Sequence, residues 1–76
     1  MEKIIISILQ ELCPYEDITP ETELLEEGML DSMGIILLLE RLEKELSVTI
    51  PPEELEPEDF ADVSAIAEML ERLAQR

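Results

Sequence analysis

The 76-residue chain carries 20 acidic and 5 basic side chains, so its formal net charge is −15 at pH 7. A field of this sign repels phosphate backbones and anionic lipid surfaces, which argues against nucleic-acid and membrane partners. It favours partner proteins that present Lys and Arg. The sequence contains no His and one Cys, which excludes a histidine-activated nucleophile, an internal disulfide and a zinc site built from cysteine pairs.

The remaining composition indicates the fold class and the cellular compartment. The length predicts one domain over residues 1–76, and 46% hydrophobic residues with one Phe and one Tyr favour a core of packed helices. No leader and no long apolar segment is present, so we expect a cytoplasmic protein. The lone Cys13 is more typical of a small apolar filler than of a reactive thiol. No carboxylate spacing matches a calcium loop, and no metal site is predicted.

Apolar residues recur at helical spacing near the start of the chain and predict a first helix from Glu2 to Leu12. A long polar loop follows from Tyr15 to Met29, and its sequence allows one helical turn near Pro20. We expect Leu24 and Leu25 to hold this loop against the core. A loop of such length in a small domain often signals a functional surface.

The second helix is predicted from Ser32 to Leu46, with Asp31 or Ser32 as its N-terminal cap. At about 100° per residue, its core face collects Ile35, Leu38, Leu39, Leu42 and Leu46. Met33, Ile36 and Leu37 point away from that face. They indicate a surface for partner docking, unless the loop or the third helix covers them.

After an extended segment through Val48, Ile50, Pro51 and Pro52, a short third helix is predicted from Pro57 to Ala61. We expect Phe60 to enter the core there. Asp62 can cap a fourth helix, whose apolar side carries Val63, Ile66, Ala67, Leu70 and Leu73. Together these elements predict an all-α fold, a small four-helix bundle with a short third helix.

The junction between the acidic loop and the second helix contains Asp31-Ser32, a pair that by itself is typical of a helix cap. Its wider context resembles the acyl and peptidyl carrier proteins. The resemblance rests on an acidic Glu26-Glu27-Gly28 turn, Met29-Leu30-Asp31-Ser32-Met33, a Leu-rich helix, Val48-Thr49-Ile50-Pro51 and a last apolar helix. It therefore covers the chain from Leu24 to Leu73.

The resemblance implies a bundle of the acyl-carrier type and a covalent cofactor. In that family, the serine after the aspartate carries a 4′-phosphopantetheine arm, which a separate phosphopantetheinyl transferase attaches from coenzyme A. Ser32 would be the attachment residue, and the protein itself would catalyse nothing. A phosphodiester there would meet the free backbone N–H groups at a helix N-terminus.

Particular residues resemble the D-alanyl carrier proteins more than the fatty-acid carriers. The counterparts are Asp31-Ser32-Met33-Gly34, Leu37-Leu38-Leu39-Glu40, Ile50-Pro51-Pro52 and Asp59-Phe60-Ala61. Met33 replaces the usual Phe, and Phe60 stands where those proteins often have Trp. The resemblance implies a monomer that holds D-alanine as a thioester. A D-alanine ligase would load it in the cytoplasm, and a membrane acyltransferase would unload it for cell-wall decoration.

We expect partner enzymes to dock on Asp31, Met33, Gly34, Ile36, Leu37 and Glu40. Glu26 and Glu27 would help to steer their approach. Gly34 costs about 1 kcal/mol of helix propensity relative to Ala, which indicates a close approach to its backbone or a tolerated fraying residue. Two alternatives stay open: a carrier for fatty-acid, polyketide or peptide synthesis, and a non-carrier acidic helical module that binds basic proteins.

Overall fold

The computed structural model describes residues 2–75, which form three α-helices and two 3₁₀ turns without a strand. The helices are α1 (Glu2–Leu12), α2 (Ser32–Leu46) and α3 (Val63–Ala74). The 3₁₀ turns cover Pro52–Glu54 and Pro57–Phe60. Because α1 packs against both α2 and α3, the core lies between the three helices. The predicted all-α class and the predicted bounds of the first two helices are confirmed.

The predicted short third helix is present as a four-residue 3₁₀ turn that ends at Phe60, one residue before Ala61. Its hydrogen bonds join residues three apart, from Asp59 N to Glu56 O at 3.0 Å and from Ala61 N to Glu58 O at 3.2 Å. Asp62 has an extended backbone where it caps α3. The residues from Pro57 to Ala61 are therefore too few to form successive α-helical hydrogen bonds. The expected burial of Phe60 is confirmed, since the side chain is 3% exposed.

The extended segment after α2 ends one residue earlier than predicted. Pro51 is extended, but Pro52 begins a 3₁₀ turn in which Leu55 N donates to Pro52 O at 3.1 Å. A proline at the first position of such a turn loses no hydrogen bond, because the first N–H groups of a helix have no internal partner. The prediction that Pro52 would be extended is therefore wrong.

The core is aliphatic apart from Phe60. It contains Ile5, Ile8 and Leu9 from α1, Leu38, Leu39 and Leu42 from α2, and Val63, Ile66, Ala67, Met69 and Leu70 from α3. Three residues predicted to face the core are only partly buried and pack at its margin: Ile35, Leu46 and Leu73. Met69 was not predicted, and it is buried because α3 contacts both α1 and the Pro57–Phe60 turn, which widens its apolar face.

Leu24 anchors the long first loop, as predicted. Its side chain is fully buried, and its backbone N donates to Ala61 O at 2.9 Å, which ties the loop to the segment before α3. Leu25 packs against the core with partial burial. The turn near Pro20 is present, since Thr22 N donates to Thr19 O at 3.1 Å. The loop is thus held by local hydrogen bonds and by two core side chains, Ile18 and Leu24.

The chain leaves this loop through a left-handed glycine. Gly28 has φ +73°, and its N–H donates to Leu25 O at 3.2 Å while Met29 N donates to Leu24 O at 2.9 Å. These two bonds form a Schellman motif, in which glycine is favoured because it adopts positive φ without strain. Leu30 N also donates to Leu24 O, at 3.1 Å, and the Leu30 side chain is buried. The motif therefore places the residues that precede α2.

Two arginines connect elements that are distant in sequence. Arg41 on α2 reaches Glu11 on α1 at 2.7 Å, and Arg72 on α3 reaches Asp59 of the second 3₁₀ turn at 2.7 Å. Burial by itself would raise the pKa of Asp59. The hydrogen bond from Glu56 N and the guanidinium of Arg72 outweigh that effect and lower the pKa.

We expect Asp59→Asn to destabilise the protein at neutral pH by about 0.2–1 kcal/mol, because Arg72 is largely exposed and solvent screens the pair. A carboxyl whose folded pKa is lowered stabilises the protein above its ordinary pKa and loses that effect as pH falls through the lowered pKa. The gap between variant and wild type should close in acid. Urea unfolding across the acid range measures this difference in the free energy of unfolding, with Glu58→Gln in the same turn as the control. A gap that does not change with pH would contradict this account.

Candidate attachment site at the start of α2

Asp31, not Ser32, is the N-terminal cap of α2. Its backbone is extended, its Oδ1 accepts from Gly34 N at 2.8 Å, and its carbonyl oxygen accepts from Ile35 N at 2.9 Å. Ser32 is the first residue of the helix and is exposed. Since Asp31 accepts the cap hydrogen bond, the exposed Ser32 hydroxyl is not needed for capping.

The arrangement fits a phosphodiester on Ser32, with one change from the expectation. The N–H groups of Gly34 and Ile35 are already bonded to Asp31, so a phosphate could use only the N–H groups of Ser32 and Met33. The cap carboxylate also repels a second anion nearby. A phosphate bound to Ser32 Oγ would thus point into solvent and be held by its covalent bond more than by the helix terminus.

The close approach expected at Gly34 comes from the chain itself. A Cβ at this position would lie 3.3 Å from Asp31 Oδ1 and 3.4 Å from Leu30 Cδ2. Glycine therefore leaves room for the cap carboxylate and for the side chain that enters the core just before it. A role of Gly34 in partner docking stays a prediction.

An apolar patch of Met33, Ile36 and Leu37 lies beside Ser32. These side chains are 64%, 52% and 42% exposed, so neither the first loop nor the 3₁₀ turns cover them. Glu40, one turn beyond Ile36, is exposed as well. Three large apolar side chains kept in solvent on one helix are a feature of interaction sites. Their function in docking remains a prediction.

All charged residues near Ser32 along the sequence are acidic. No Lys or Arg occurs between Lys3 and Arg41, and Arg41 is bound to Glu11 at 2.7 Å and to Glu45 at 3.6 Å. The nearest arginine along α2 is thus already partly neutralised. A partner that approaches Ser32 meets carboxylates, which attract Lys and Arg over about one Debye length, about 8–10 Å.

Carboxylates crowd the turn that precedes the site. A hydrogen bond with Glu26 raises the pKa of the Glu23 carboxyl, and the negative charges of Glu26, Glu27 and Asp62 raise it further. Such crowding favours the neutral acid and would be relieved by a cationic partner. This supports the predicted steering role of Glu26 and Glu27, which stays a prediction.

An apolar groove of about 420 Å³ begins one helical turn after Ser32. Its walls are α2 on one side and the two 3₁₀ turns on the other. The lining comprises Ile35, Ile36, Leu39, Glu40, Glu43, Ile50, Pro52, Leu55, Glu56, Pro57 and Phe60. Two predicted docking residues, Ile36 and Glu40, therefore also border the groove. Its existence was not predicted, although Leu55 between two acidic turns was an available signal.

Cys13 lies beside this end of the molecule. Its Sγ is 3.5 Å from Met29 O, and the side chain is half-buried. Burial raises the pKa of the thiol, and the charges of Glu16 and Asp31 raise it further. The thiol is thus kept protonated, which lowers its reactivity. This agrees with its interpretation as a filler.

Residues 2–75 contain neither a grouping of metal ligands nor a helix that could cross a membrane. No group of three or more Cys, Asp or Glu side chains within that range is arranged to hold a metal ion. Of the helices described, none combines the length and apolar character that crossing a bilayer requires.

Comparison with known proteins assigns the family. Residues 3–70 match the model of the phosphopantetheine attachment site family. A D-alanyl carrier protein of Listeria welshimeri is 34% identical over 71 residues, 91% of each chain. Aminoacyl carrier protein 2 of Bradyrhizobium diazoefficiens is 34% identical over 67 residues, 88% of this chain and 74% of the relative. A chain in a crystal structure described as an FAD-dependent dehydrogenase is 35% identical, with a TM-score of 0.74 over 84% of this chain and 93% of that one.

The chain belongs to the phosphopantetheine-binding carrier protein family. Its function is that of a carrier, and the cofactor of the family is 4′-phosphopantetheine. Carriers of this kind interact with a phosphopantetheinyl transferase and with enzymes that load and unload the arm. The alternative of a non-carrier acidic module is set aside by this match.

Substitutions can separate two effects of the Asp31 side chain, the capping of α2 and its negative charge. Asp31→Ala and Asp62→Ala each remove an N-cap hydrogen bond of 2.8 Å, so each should lower the free energy of unfolding by about 1 kcal/mol. We expect only Asp31→Ala to slow arm transfer by the transferase. Asp31→Asn keeps a capping side chain without the charge, so it should restore stability but not the transfer rate.

Urea unfolding and a time course of intact mass with coenzyme A provide the two measurements. Equal transfer rates for the variants at both caps would mean that Asp31 acts only as a helix cap.

Proposed function

We propose that Ser32 carries the 4′-phosphopantetheine arm and that the protein holds D-alanine on it as a thioester, without catalysing any step. The observation that carries this proposal is the exposed Ser32 hydroxyl at the first position of α2, directly after the cap Asp31. The D-alanyl carrier proteins of Listeria, similar over 91% of the chain, support the choice of cargo. The arm would supply a terminal thiol that forms the thioester.

Attachment requires that the Ser32 oxygen form a new bond to the β-phosphorus of coenzyme A. The bond from that phosphorus to the bridging oxygen breaks, and adenosine 3′,5′-bisphosphate leaves. The hydroxyl proton would pass to a general base that the transferase supplies. The contribution of this protein is presentation: Asp31 fixes the start of the helix, and Ser32 projects from it into solvent.

Docking would involve the apolar patch and the carboxylates around it. A partner with a shallow apolar pocket bordered by Lys or Arg would bury Met33, Ile36 and Leu37 and meet Asp31 and Glu40 at the rim. The transferase, a D-alanine ligase and a membrane-bound acyltransferase would use this surface in turn. Each must release the carrier, so moderate affinity and electrostatically assisted encounter suit the surface. We expect a cytoplasmic monomer of one domain.

Two comparisons favour a second candidate function. Relatives named aminoacyl carrier proteins are 34% identical to the chain, and a structurally similar chain occurs in a structure described as an FAD-dependent dehydrogenase. The protein would then present another aminoacyl group, on the same arm, to a flavin-dependent oxidation. The other cargo classes within the same family are the acyl groups of fatty-acid and polyketide synthesis and the aminoacyl groups of peptide synthesis.

Incubation with coenzyme A and a broad-specificity transferase should increase the intact mass by one phosphopantetheine. Ser32→Ala should abolish the increase, because the attacking oxygen is removed. Ser7→Ala, an exposed serine on α1, is the matched control and should gain the arm like the wild type. An unmodified wild type, or an equal gain by Ser32→Ala, would refute attachment at Ser32.

Cargo is tested on the arm-bearing protein with purified adenylating ligases, ATP and single amino acids. We expect a D-alanine ligase to load D-alanine and to discriminate against L-alanine and glycine, with a thioester that hydroxylamine cleaves. Intact mass before and after hydroxylamine measures the result. Exclusive loading of another amino acid by its own ligase would rule out D-alanine as the cargo and leave the carrier function intact.

A further inference from the structure

Tyr15 is the most exposed of the large apolar and aromatic side chains in the described part of the chain. It is 98% exposed, whereas Phe60, the other aromatic residue, is 3% exposed. A ring that lies almost wholly in solvent adds little to the packing of the core, so the fold does not require it. Aromatic rings are enriched among the residues that dominate protein interfaces, because one ring buries a large area.

The turn that presents this ring is held by hydrogen bonds. Gln10 Nε2 donates to Cys13 O at 3.3 Å and to Glu16 O at 2.5 Å, and Glu16 N donates to Cys13 O at 3.2 Å. Ile18, just after the turn, is buried. The backbone on both sides of Tyr15 is thus fixed before a partner binds, which lowers the cost of ordering it in a complex.

The turn lies at the same end of the molecule as Ser32. Cys13 Sγ is 3.5 Å from Met29 O, and Met29 precedes Ser32 by three residues. Since a chain advances at most about 3.6 Å per residue, Tyr15 lies within about 30 Å of Ser32. A standard interface covers about 800 Å² on each partner and is about 30 Å across. One enzyme can therefore cover both residues.

The charged residues next to Tyr15 are acidic. Glu16 and Asp17 follow it and are exposed, and no Lys or Arg occurs between Lys3 and Arg41. A guanidinium can stack on an aromatic face and pair with a carboxylate at the same time, because it is planar and carries several donors. The group that fits this turn is thus an arginine on the surface of a partner.

Two kinds of partner differ in what they must contact. The transferase has to bring Ser32 itself into its active site, and it acts on the motif that carriers share. Tyr15 lies before Leu24, outside the segment that contains those shared motifs. A ligase that loads the arm acts on the arm's far end, so its contacts can be centred to one side of Ser32. The position of Tyr15 therefore suits the ligase.

We infer that Tyr15 is a docking contact for the ligase that loads the arm. An arginine of that enzyme stacks on the ring, and Glu16 and Asp17 lie beside its guanidinium. This inference rests on the proposed function, because it requires a ligase that loads the carrier. It adds a contact outside α2 that distinguishes this carrier from others with the same attachment motif.

The test measures loading of the arm-bearing protein by the ligase that loads the wild type. Tyr15→Ala should raise the KM for the carrier about threefold to tenfold and leave kcat unchanged, since the arm and its thiol are unaltered. Tyr15→Phe keeps the ring and should behave like the wild type. Neither variant should change the rate of arm transfer by the transferase or the free energy of unfolding measured in urea.

The carboxylates are tested by a double substitution, Glu16→Gln with Asp17→Asn. It should raise KM at low salt and have less effect at high salt, because salt screens exposed charges. The matched control removes two exposed carboxylates of α3, Glu68→Gln with Glu71→Gln, and should leave KM unchanged. On the ligase, surface arginines are replaced by Ala one at a time, and one of them should show a non-additive effect with Tyr15→Ala.

The possible failures are distinguishable. A wild-type KM for Tyr15→Ala, or an equal slowing of the transferase, would overturn the inference and leave the proposed function standing. Strict additivity with every ligase arginine would contradict the stacked guanidinium. Failure of every ligase to load the arm-bearing wild type would refute the proposed function, and the inference would fail with it.

Discussion

The burial of Leu24 is the constraint on which the position of Ser32 and the start of α2 depend. The side chain is fully enclosed, its N–H is bonded to Ala61 O, and its carbonyl oxygen accepts from both Met29 and Leu30. One residue thus connects the first loop, the segment before α3 and the residues before α2. Because the Schellman motif at Gly28 leads from it directly to the cap Asp31, the position of Ser32 follows from this anchor.

Two of the few basic residues form ion pairs between elements of a chain whose net charge is −15. Arg41 joins α1 to α2 through Glu11, and Arg72 joins α3 to the preceding turn through Asp59. These cations stabilise the arrangement of the elements and are thereby unavailable to offset the carboxylates near Ser32. The ion pairs add little to stability because their side chains are partly exposed, but they leave the anionic field near Ser32 without a free arginine nearby in the sequence.

Local patterns predicted what depends on local physics. The apolar periodicity of α1 and α2, Pro57 at the start of its turn, and the caps Asp31 and Asp62 all follow from short-range sterics and hydrogen bonds. The short third helix is present where it was predicted, but as a 3₁₀ helix that ends one residue early, because periodicity does not measure how many residues remain before the next cap. Met69 was missed because its burial depends on which neighbours α3 contacts.

The sequence by itself determined the three helices, the Asp31-Ser32 junction and the acidic field, since each depends on residue types at fixed spacing. The tertiary structure decided that Met33, Ile36 and Leu37 stay exposed and that a groove with a carboxylate rim lies next to them. Both outcomes depend on where the segment from Pro51 to Phe60 packs relative to α2. That placement is set by long-range contacts of Ile50 and Phe60 with the core, which no periodicity within the chain encodes.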